Sequence, residues 1–204
     1  KNASGCNAGG VSNYVFSAIF GAAAKKSISL ADRTLGIIGM GSVGQRVEAM
    51  GRALGFKIMR HDPRKAEIEW YTQFSTLDEL LSQADIITLH IPLNDTTRGM
   101  CNASFFEKMK PGAFFINTAQ GDLVVENDLI DAIPRLGPVI IDAWSHEPSV
   151  NTRLINLASI ATPHIAGYSL QGKQIGSSMA VRAVARFMSI SELYDFFPST
   201  DNME

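Results

Sequence analysis

The chain has 204 residues, 46% of them apolar, and a formal net charge of −2. That is one ordinary domain with an appendage, and no charge excess argues for nucleic acid or an anionic membrane surface. The longest apolar runs are too short to span a bilayer, no signal peptide is visible, and Cys6 and Cys101 have no metal-ligand spacing, so the expectation is a cytoplasmic protein with two idle or buried thiols.

The chain opens KNASGCNAGG, without methionine, and reads as part of a longer protein. Val11, Tyr14, Val15, Ala18, Ile19 and Ala22 recur at helical spacing, which predicts an amphipathic helix over 10–25. Strand-like and helix-like segments then alternate. LGIIGM (35–40) reads as a buried strand, and GSVGQRVEAMGRALG as a helix with Val43, Val47, Met50 and Leu54 on one face. KIMRHD (57–62) is the next strand. STLDELLSQAD is a helix capped by Ser75 or Thr76. IITLHIP (86–92) is a strand stopped by Pro92. NASFFEKMK is a short helix ended by Pro111-Gly112, and AFFINT (113–118) is a strand. ENDLIDAIPRL is a helix broken near Pro134. PVIIDAW (138–144) and SIATPHI (159–165) are the last strands, and SLQGKQIGSSMAVRAVARFM is a long closing helix. LYDFF (193–197) has no strong reading.

Apolar strands alternating with helices predict an α/β fold: a doubly wound parallel sheet, Rossmann-like, in the order 3-2-1-4-5-6. The expected division is an opening segment and helix over 1–25, a nucleotide-binding domain over 26–170, and a closing helix over 171–204 that returns towards a further domain. Ligands bind such sheets beyond the carboxyl ends of the strands. Small and polar residues gather there: 39–44, Asp62, His90, Pro92, Thr118, Gln120, Asp142, Glu147, His164 and Gly167.

Gly39-Met40-Gly41-Ser42-Val43-Gly44 is a G-x-G-x-x-G between a predicted strand and a predicted helix. Gly39 allows the tight turn, Gly41 lets the backbone approach a pyrophosphate, and Gly44 allows close helix–strand packing. The helix start at Ser42 and Val43 offers unpaired N–H groups and a positive dipole end to phosphates. Asp62, closing the second strand, accepts hydrogen bonds from ribose hydroxyls and repels a 2′-phosphate, which favours NAD over NADP. Arg64 nearby tempers that preference, since a guanidinium can pair with phosphate. The plainer alternative is that the glycines only make a turn and Asp62 only caps a strand.

His164 ends the last strand and Glu147 follows the neighbouring one. A carboxylate beside an imidazole fixes its tautomer and raises its pKa. A histidine so held can give a proton to a carbonyl oxygen as hydride arrives, or take one from a hydroxyl in reverse.

LGIIGMGSVGQ, HDP, ADIITLHIPL, MKPGAFFIN, IIDAWSHEP and ATPHIAGYS occur in an order and spacing that resembles the nucleotide-binding domain of the D-2-hydroxyacid dehydrogenases. Within that family, GCNAGGVSNYVFSAIF and ATPHIAGYSLQGK are most similar to the erythronate-4-phosphate dehydrogenase branch, which acts in pyridoxine biosynthesis. The resemblance implies an NAD-dependent oxidoreductase moving hydride between NAD(H) and a 2-hydroxy or 2-keto acid, phosphorylated if the branch is right. It implies His164 as the acid–base group, Glu147 as its partner, and Asp142 near the nicotinamide. Pro92 and Thr118 fall at positions that line the cofactor. Pro92 ending a strand and Asp142 satisfying loop amides are the plainer alternatives. It also implies a substrate domain largely missing from this chain, and a homodimer in which the first long helix meets its partner. That apolar face, with Phe16, Ile19 and Phe20, could equally pack under the substrate domain.

Two residues depart from the family pattern. Where the family places a substrate-binding arginine, this chain has Gln120; where it places an aspartate, this chain has Val125. A guanidinium offers a charged, bidentate fork, whereas a glutamine amide offers neutral donors only. The alternative function is therefore an NAD(H)-binding homologue that has lost turnover and serves as a sensor or scaffold.

Overall fold

Strands that must be buried on both faces are continuous apolar runs, and helices have to cover those faces. A computed structural model describes residues 3–68 and 74–199. In chain order the elements are α1 (Ala8–Lys25), β1 (Thr34–Ile38), α2 (Ser42–Ala53), β2 (Lys57–His61), α3 (Pro63–Ile68), α4 (Leu77–Gln83), β3 (Ile86–Leu89), α5 (Ala103–Lys108), β4 (Phe114–Asn117), α6 (Glu126–Ala132), β5 (Val139–Ile141), α7 (Thr152–Leu157), β6 (Ile160–Ala161) and α8 (Leu170–Met188). The six strands form one parallel sheet.

The period of two along each strand divides the core. Leu35, Ile37, Ile86, Phe114, Ile116 and Ile140 face the layer of α1 and α2, joining Val15, Ile19 and Val47. Ile38, Ile87, Leu89, Phe115 and Ile141 face the other layer, joining Leu80 of α4 and Phe105 and Phe106 of α5. Phe105, Phe106 and Phe115 meet edge to face, with centroids 5.2–6.1 Å apart. Gly36 lets α4 approach the sheet, since a Cβ there would lie 2.7 Å from Leu80 Cδ2.

The doubly wound parallel architecture is as expected, but the strand order is corrected. The sheet runs β2-β1-β3-β4-β5-β6 and not 3-2-1-4-5-6. The chain crosses back over β1 one strand earlier than expected. Burial explains why. All four residues of β3 are buried, so it needs neighbours on both sides. The polar strand β2, with Lys57, Arg60 and His61, is only half-buried and suits an edge. The switch point still falls at the end of β1.

Other differences are local. Thr76, not Ser75, caps α4, in a capping box with Glu79. Leu54 falls at the C-cap of α2 and is exposed. β6 stops at Ala161, because Pro163 has no N–H to extend the ladder, so His164 sits on a loop. α3 and α7 were not anticipated. α6 passes into a 3-10 turn, Ile133–Arg135, around Pro134. After α8 the chain folds back, with the Phe196 carbonyl accepting from Ser178 and Arg182; residues 200–204 lie outside the described residues.

Asp85 ties the amino ends of three strands together. Its carboxylate accepts from the Thr34 amide at 2.9 Å and Lys110 at 2.6 Å, and its carbonyl accepts from Phe114. Burial works to raise its pKa, but Lys110, the Thr34 amide and Arg33 outweigh that and hold it below the usual 3.8. A group with a depressed folded pKa stabilises the fold above its unfolded pKa and loses that contribution as pH falls through the folded value. Asp85→Asn should destabilise the protein at pH 7 by about 1–3 kcal/mol. The difference from wild type should narrow below about pH 4. Urea melts at the two pH values check this; a difference that persists unchanged in acid contradicts it.

Candidate active site

β1 runs into a turn whose glycines serve different ends. Gly39 has φ +95°, and a Cβ on it would lie 2.5 Å from the His90 carbonyl. A Cβ on Gly44 would lie 2.0 Å from the Gly39 carbonyl. The fold itself needs both. Gly41 is different: nothing lies within 4 Å of where its Cβ would be, and its φ is an ordinary −72°. No contact inside the chain requires glycine there, so the open space suits something the protein binds. Gly41 caps α2 without a side-chain partner, and no acidic residue occupies the first turn. The amides at Ser42 and Val43 thus stand at an uncompensated positive helix end. These features fit a dinucleotide pyrophosphate.

Asp62 holds this turn. Its Oδ2 accepts from the Met40 amide at 2.8 Å and its Oδ1 from the Lys65 amide at 3.2 Å, which also starts α3. It therefore does cap its strand, and each oxygen keeps a lone pair for ribose hydroxyls. We predict that Gly41→Val leaves the fold intact and weakens NADH binding by about 10–100-fold. Gly44→Ala should instead impair folding. Calorimetry with NADH and thermal melts separate the two, and unchanged NADH affinity in Gly41→Val would remove this turn from the cofactor site.

His164 has φ +55°, a left-handed conformation that costs a histidine energy and occurs most at functional sites. Asp142, fully buried, imposes it. Its backbone carbonyl accepts from the His164 amide at 2.9 Å. Its carboxylate accepts from the Thr162 hydroxyl at 2.6 Å and from the Ile165 and Ala166 amides at 2.8 Å. Satisfying loop amides is thus what Asp142 does here, and it also lines a cavity beside His164. Tyr14 of α1 hydrogen-bonds the Thr162 hydroxyl. Burial, more than any other influence, raises the pKa of this phenol.

Glu147 returns from the end of β5 to meet the histidine. The His164 Nδ1–H donates to its two oxygens at 3.0 and 2.9 Å, and the Trp144 amide donates at 2.9 Å. The Trp144 indole N–H donates to the Thr162 carbonyl at 2.8 Å, joining the two loops. Burial raises the Glu147 pKa, but the hydrogen bonds from His164 and the Trp144 amide outweigh it, and the carboxyl sits below its usual 4.5. An ionised Glu147 keeps the proton on Nδ1 and leaves Nε2 for a substrate.

Gln120 follows β4. Its carbonyl accepts from Asn117 Nδ2 at 2.9 Å, and Gly121 is wedged so tightly that a Cβ would lie 1.9 Å from the Trp144 backbone. The position is fixed whatever side chain it carries. Gln120 and His164 share the walls of two adjoining cavities, of about 340 and 300 Å³. Glu147, Asp122 and His146 line the first; Thr118, Asp142, Gly167 and Tyr168 line the second. Thr118 is only 9% exposed, and its hydroxyl has no hydrogen-bond partner among the described residues. An unpaired buried hydroxyl costs free energy unless a ligand satisfies it, so this wall too fits a bound cofactor. Val125 stands where the family aspartate would be, and the next residue, Glu126, accepts from the Ser145 amide at 3.3 Å.

The sequence-predicted residues thus fall into two groups. Gly39, Gly41, Ser42, Val43, Gly44 and Asp62 surround the end of β1. Thr118, Gln120, Asp142, Glu147, His164 and Gly167 surround the two cavities. His90 reaches the first group through its backbone; its ring pairs with Thr88 at 3.0 Å, and burial lowers its pKa to about 3, so it is neutral. Pro92 is exposed, its carbonyl accepts from Thr97, and its neighbour Leu93 lines the Gln120 cavity. Tyr14, Trp144, Thr162 and Tyr168 went unassigned. All four stood inside stretches already singled out, GCNAGGVSNYVFSAIF, IIDAWSHEP and ATPHIAGYS.

Known proteins resemble this chain in sequence and fold. The erythronate-4-phosphate dehydrogenases of Bacteroides fragilis and Hydrogenovibrio crunogenus are 36% and 40% identical to this chain, over 97% and 93% of it. The chain spans 58% and 51% of those relatives, about half their length. The solved D-lactate dehydrogenase of Aquifex aeolicus, a complex with NAD and lactic acid, aligns with a TM-score of 0.73 at 26% identity, covering 93% of this chain and 71% of that one. D-mandelate dehydrogenase of Rhodotorula graminis aligns with a TM-score of 0.80 at 23% identity over 91% of this chain and 64% of its own, a likeness of fold. Residues 13–166, which hold both the glycine turn and the His164–Glu147 pair, match the NAD binding domain of the D-isomer specific 2-hydroxyacid dehydrogenases, and the chain belongs to that family.

Proposed function

We propose that the whole protein is an NAD-dependent dehydrogenase that interconverts a 2-keto acid and its D-2-hydroxy acid. The observation that carries this reading is the His164–Glu147 pair, 2.9 Å apart, on the cavities that Gln120 also lines. Gly41, Ser42, Val43 and Asp62 hold the cofactor's pyrophosphate and adenosine ribose, while Thr118 and Gly167 line its other end. Bound there, NADH supplies hydride to the carbonyl carbon.

The residues do the rest. Nε2 of a protonated His164 gives its proton to the carbonyl oxygen as negative charge develops there. Ionised Glu147 stabilises the imidazolium and holds its orientation. Gln120 offers its amide N–H to the carbonyl oxygen or carboxylate. In the reverse direction neutral His164 takes the hydroxyl proton. The names of the relatives favour a phosphorylated substrate such as 4-phosphoerythronate. Phe16 and Ile19, read from the sequence as part of an outer apolar face of α1, are buried in the chain's own core, so the homodimer through that helix draws support only from the exposed Phe20, packed on Phe56; we place the enzyme in the cytoplasm.

The test is NADH oxidation by the intact gene product with a panel of 2-keto acids, including the phosphorylated keto acid derived from 4-phosphoerythronate. Turnover of at least one is expected; turnover of none contradicts the reading. A second reading, an NAD(H) sensor or scaffold without turnover, draws on Gln120 and Val125 departing together in one loop. It predicts NADH binding with no oxidation of any panel member.

A further inference from the structure

The Thr162 hydroxyl has one proton and two lone pairs, and the geometry commits the proton. It goes to Asp142 Oδ1, 2.6 Å away. Towards its other partner, Tyr14, the hydroxyl can therefore only accept, so the phenol is the donor. Burial, the largest influence on that phenol, raises its pKa and keeps the proton in place at neutral pH. The bonds thus run one way, from Tyr14 to Thr162 to Asp142, and each polarises the next. The Thr162 backbone is pinned as well. Its amide donates to the Ile141 carbonyl at 3.0 Å, and its carbonyl accepts from the Trp144 indole at 2.8 Å.

A carboxylate offers about four lone pairs. Thr162 and the Ile165 amide fill both on Oδ1, and the Ala166 amide takes one on Oδ2. Among the described residues nothing else donates to Oδ2, so one lone pair is left, on a fully buried residue that lines the smaller cavity. It suits an N–H donor such as a primary amide. Its aim depends on Oδ1 being held, and that hold begins at Tyr14. Tyr14 stands one turn along α1 from Val11, which lines the same cavity. We propose that Tyr14 is a positioning residue for the cofactor: acting through Thr162, it aims the free lone pair of Asp142 at the carboxamide of the nicotinamide. Without the phenol's proton the Thr162 hydroxyl is free to turn away, and the carboxylate loses its fixed orientation. The proposal rests on the nicotinamide end lying at this cavity, as in the reading above, and its test needs no turnover.

The intact gene product is titrated with NADH, reading the fluorescence of the bound cofactor, and ADP-ribose, which lacks the nicotinamide, is measured by competition. Wild type should bind NADH about fivefold or more tighter than ADP-ribose. Tyr14→Phe should weaken NADH by about three- to tenfold and leave ADP-ribose within about twofold, which also reports an intact fold. Thr162→Ser keeps the hydroxyl and should keep the wild-type ratio. Adding Tyr14→Phe to Thr162→Val should cost no further NADH affinity, because the link is already cut. A ratio unchanged in Tyr14→Phe overturns the proposal, as does an equal loss for both ligands or full additivity in the double variant. Failure of the reading beneath it looks different. If the nicotinamide end lies elsewhere, Asp142→Ala also leaves the ratio unchanged; if the protein is no dehydrogenase, no keto acid is reduced while the shift in Tyr14→Phe stands.

Discussion

Replacing His164 by alanine should lower keto-acid reduction by about 10²–10⁴-fold and leave NADH affinity within about twofold. The size follows from removing the group that protonates the developing alkoxide. The selectivity follows from position, since the glycine turn and Asp62 are held by contacts that do not involve the imidazole. Glu147→Gln should cost less, because a neutral amide still occupies the site but no longer stabilises the imidazolium. The sign of its pH dependence is set by the depressed Glu147 pKa. The ion pair persists above the ordinary carboxylate value and weakens as pH falls through the lowered one. The gap between wild type and Glu147→Gln should therefore close in acid. His146 is a built-in control: it lines the Gln120 cavity without a bond to Glu147 among those described, and His146→Ala should change kcat by less than about threefold. Steady-state kinetics of the three variants decide the matter. Turnover retained in His164→Ala and lost in His146→Ala would reassign the acid.

Gln120→Arg should raise kcat by about 10²–10³-fold. Charge accumulates on the carbonyl oxygen in the transition state, and a guanidinium meets it far better than a neutral amide. The backbone is ready for the exchange. Asn117 and Gly121 fix the loop from either side, and Gln120 already lines the cavities that His164 lines. Because the charge meets the transition state more than the ground state, the gain falls mainly on kcat and KM moves little. A gain confined to KM would mean that position 120 holds the ground-state carboxylate. No gain in either would mean that the chemistry has been rebuilt around glutamine.

Much of this was legible in the chain because the chemistry stands at strand ends. Glu147 and His164 follow neighbouring strands, so adjacency in the sheet brings them together. The glycine turn could be read from its place between β1 and α2, but not the separate tasks of its glycines; only the emptiness around Gly41 divides those. The strand order was misread because the doubly wound pattern alone does not say where the chain crosses over. The deciding feature was the polarity of β2 against the full burial of β3. Tyr14 and Thr162, 148 residues apart, touch only in the folded chain, and periodicity read Tyr14 as core. Asp142 bore two readings; it accepts from the amides of Ile165 and Ala166 and also lines the cavity beside His164, so the one does not displace the other.

In the reading proposed above, hydride moves at this site between the nicotinamide and the carbon next to a carboxylate. The most direct measurement is a single turnover of the intact gene product with NADH deuterated on C4, presented with the phosphorylated keto acid and its unphosphorylated counterparts, and product analysis by mass spectrometry. The expected product is a D-2-hydroxy acid carrying deuterium on C2, formed faster by Gln120→Arg and about 10²–10⁴-fold more slowly by His164→Ala. Bound NADH that transfers no deuterium to any keto acid, in wild type and in Gln120→Arg alike, would contradict it.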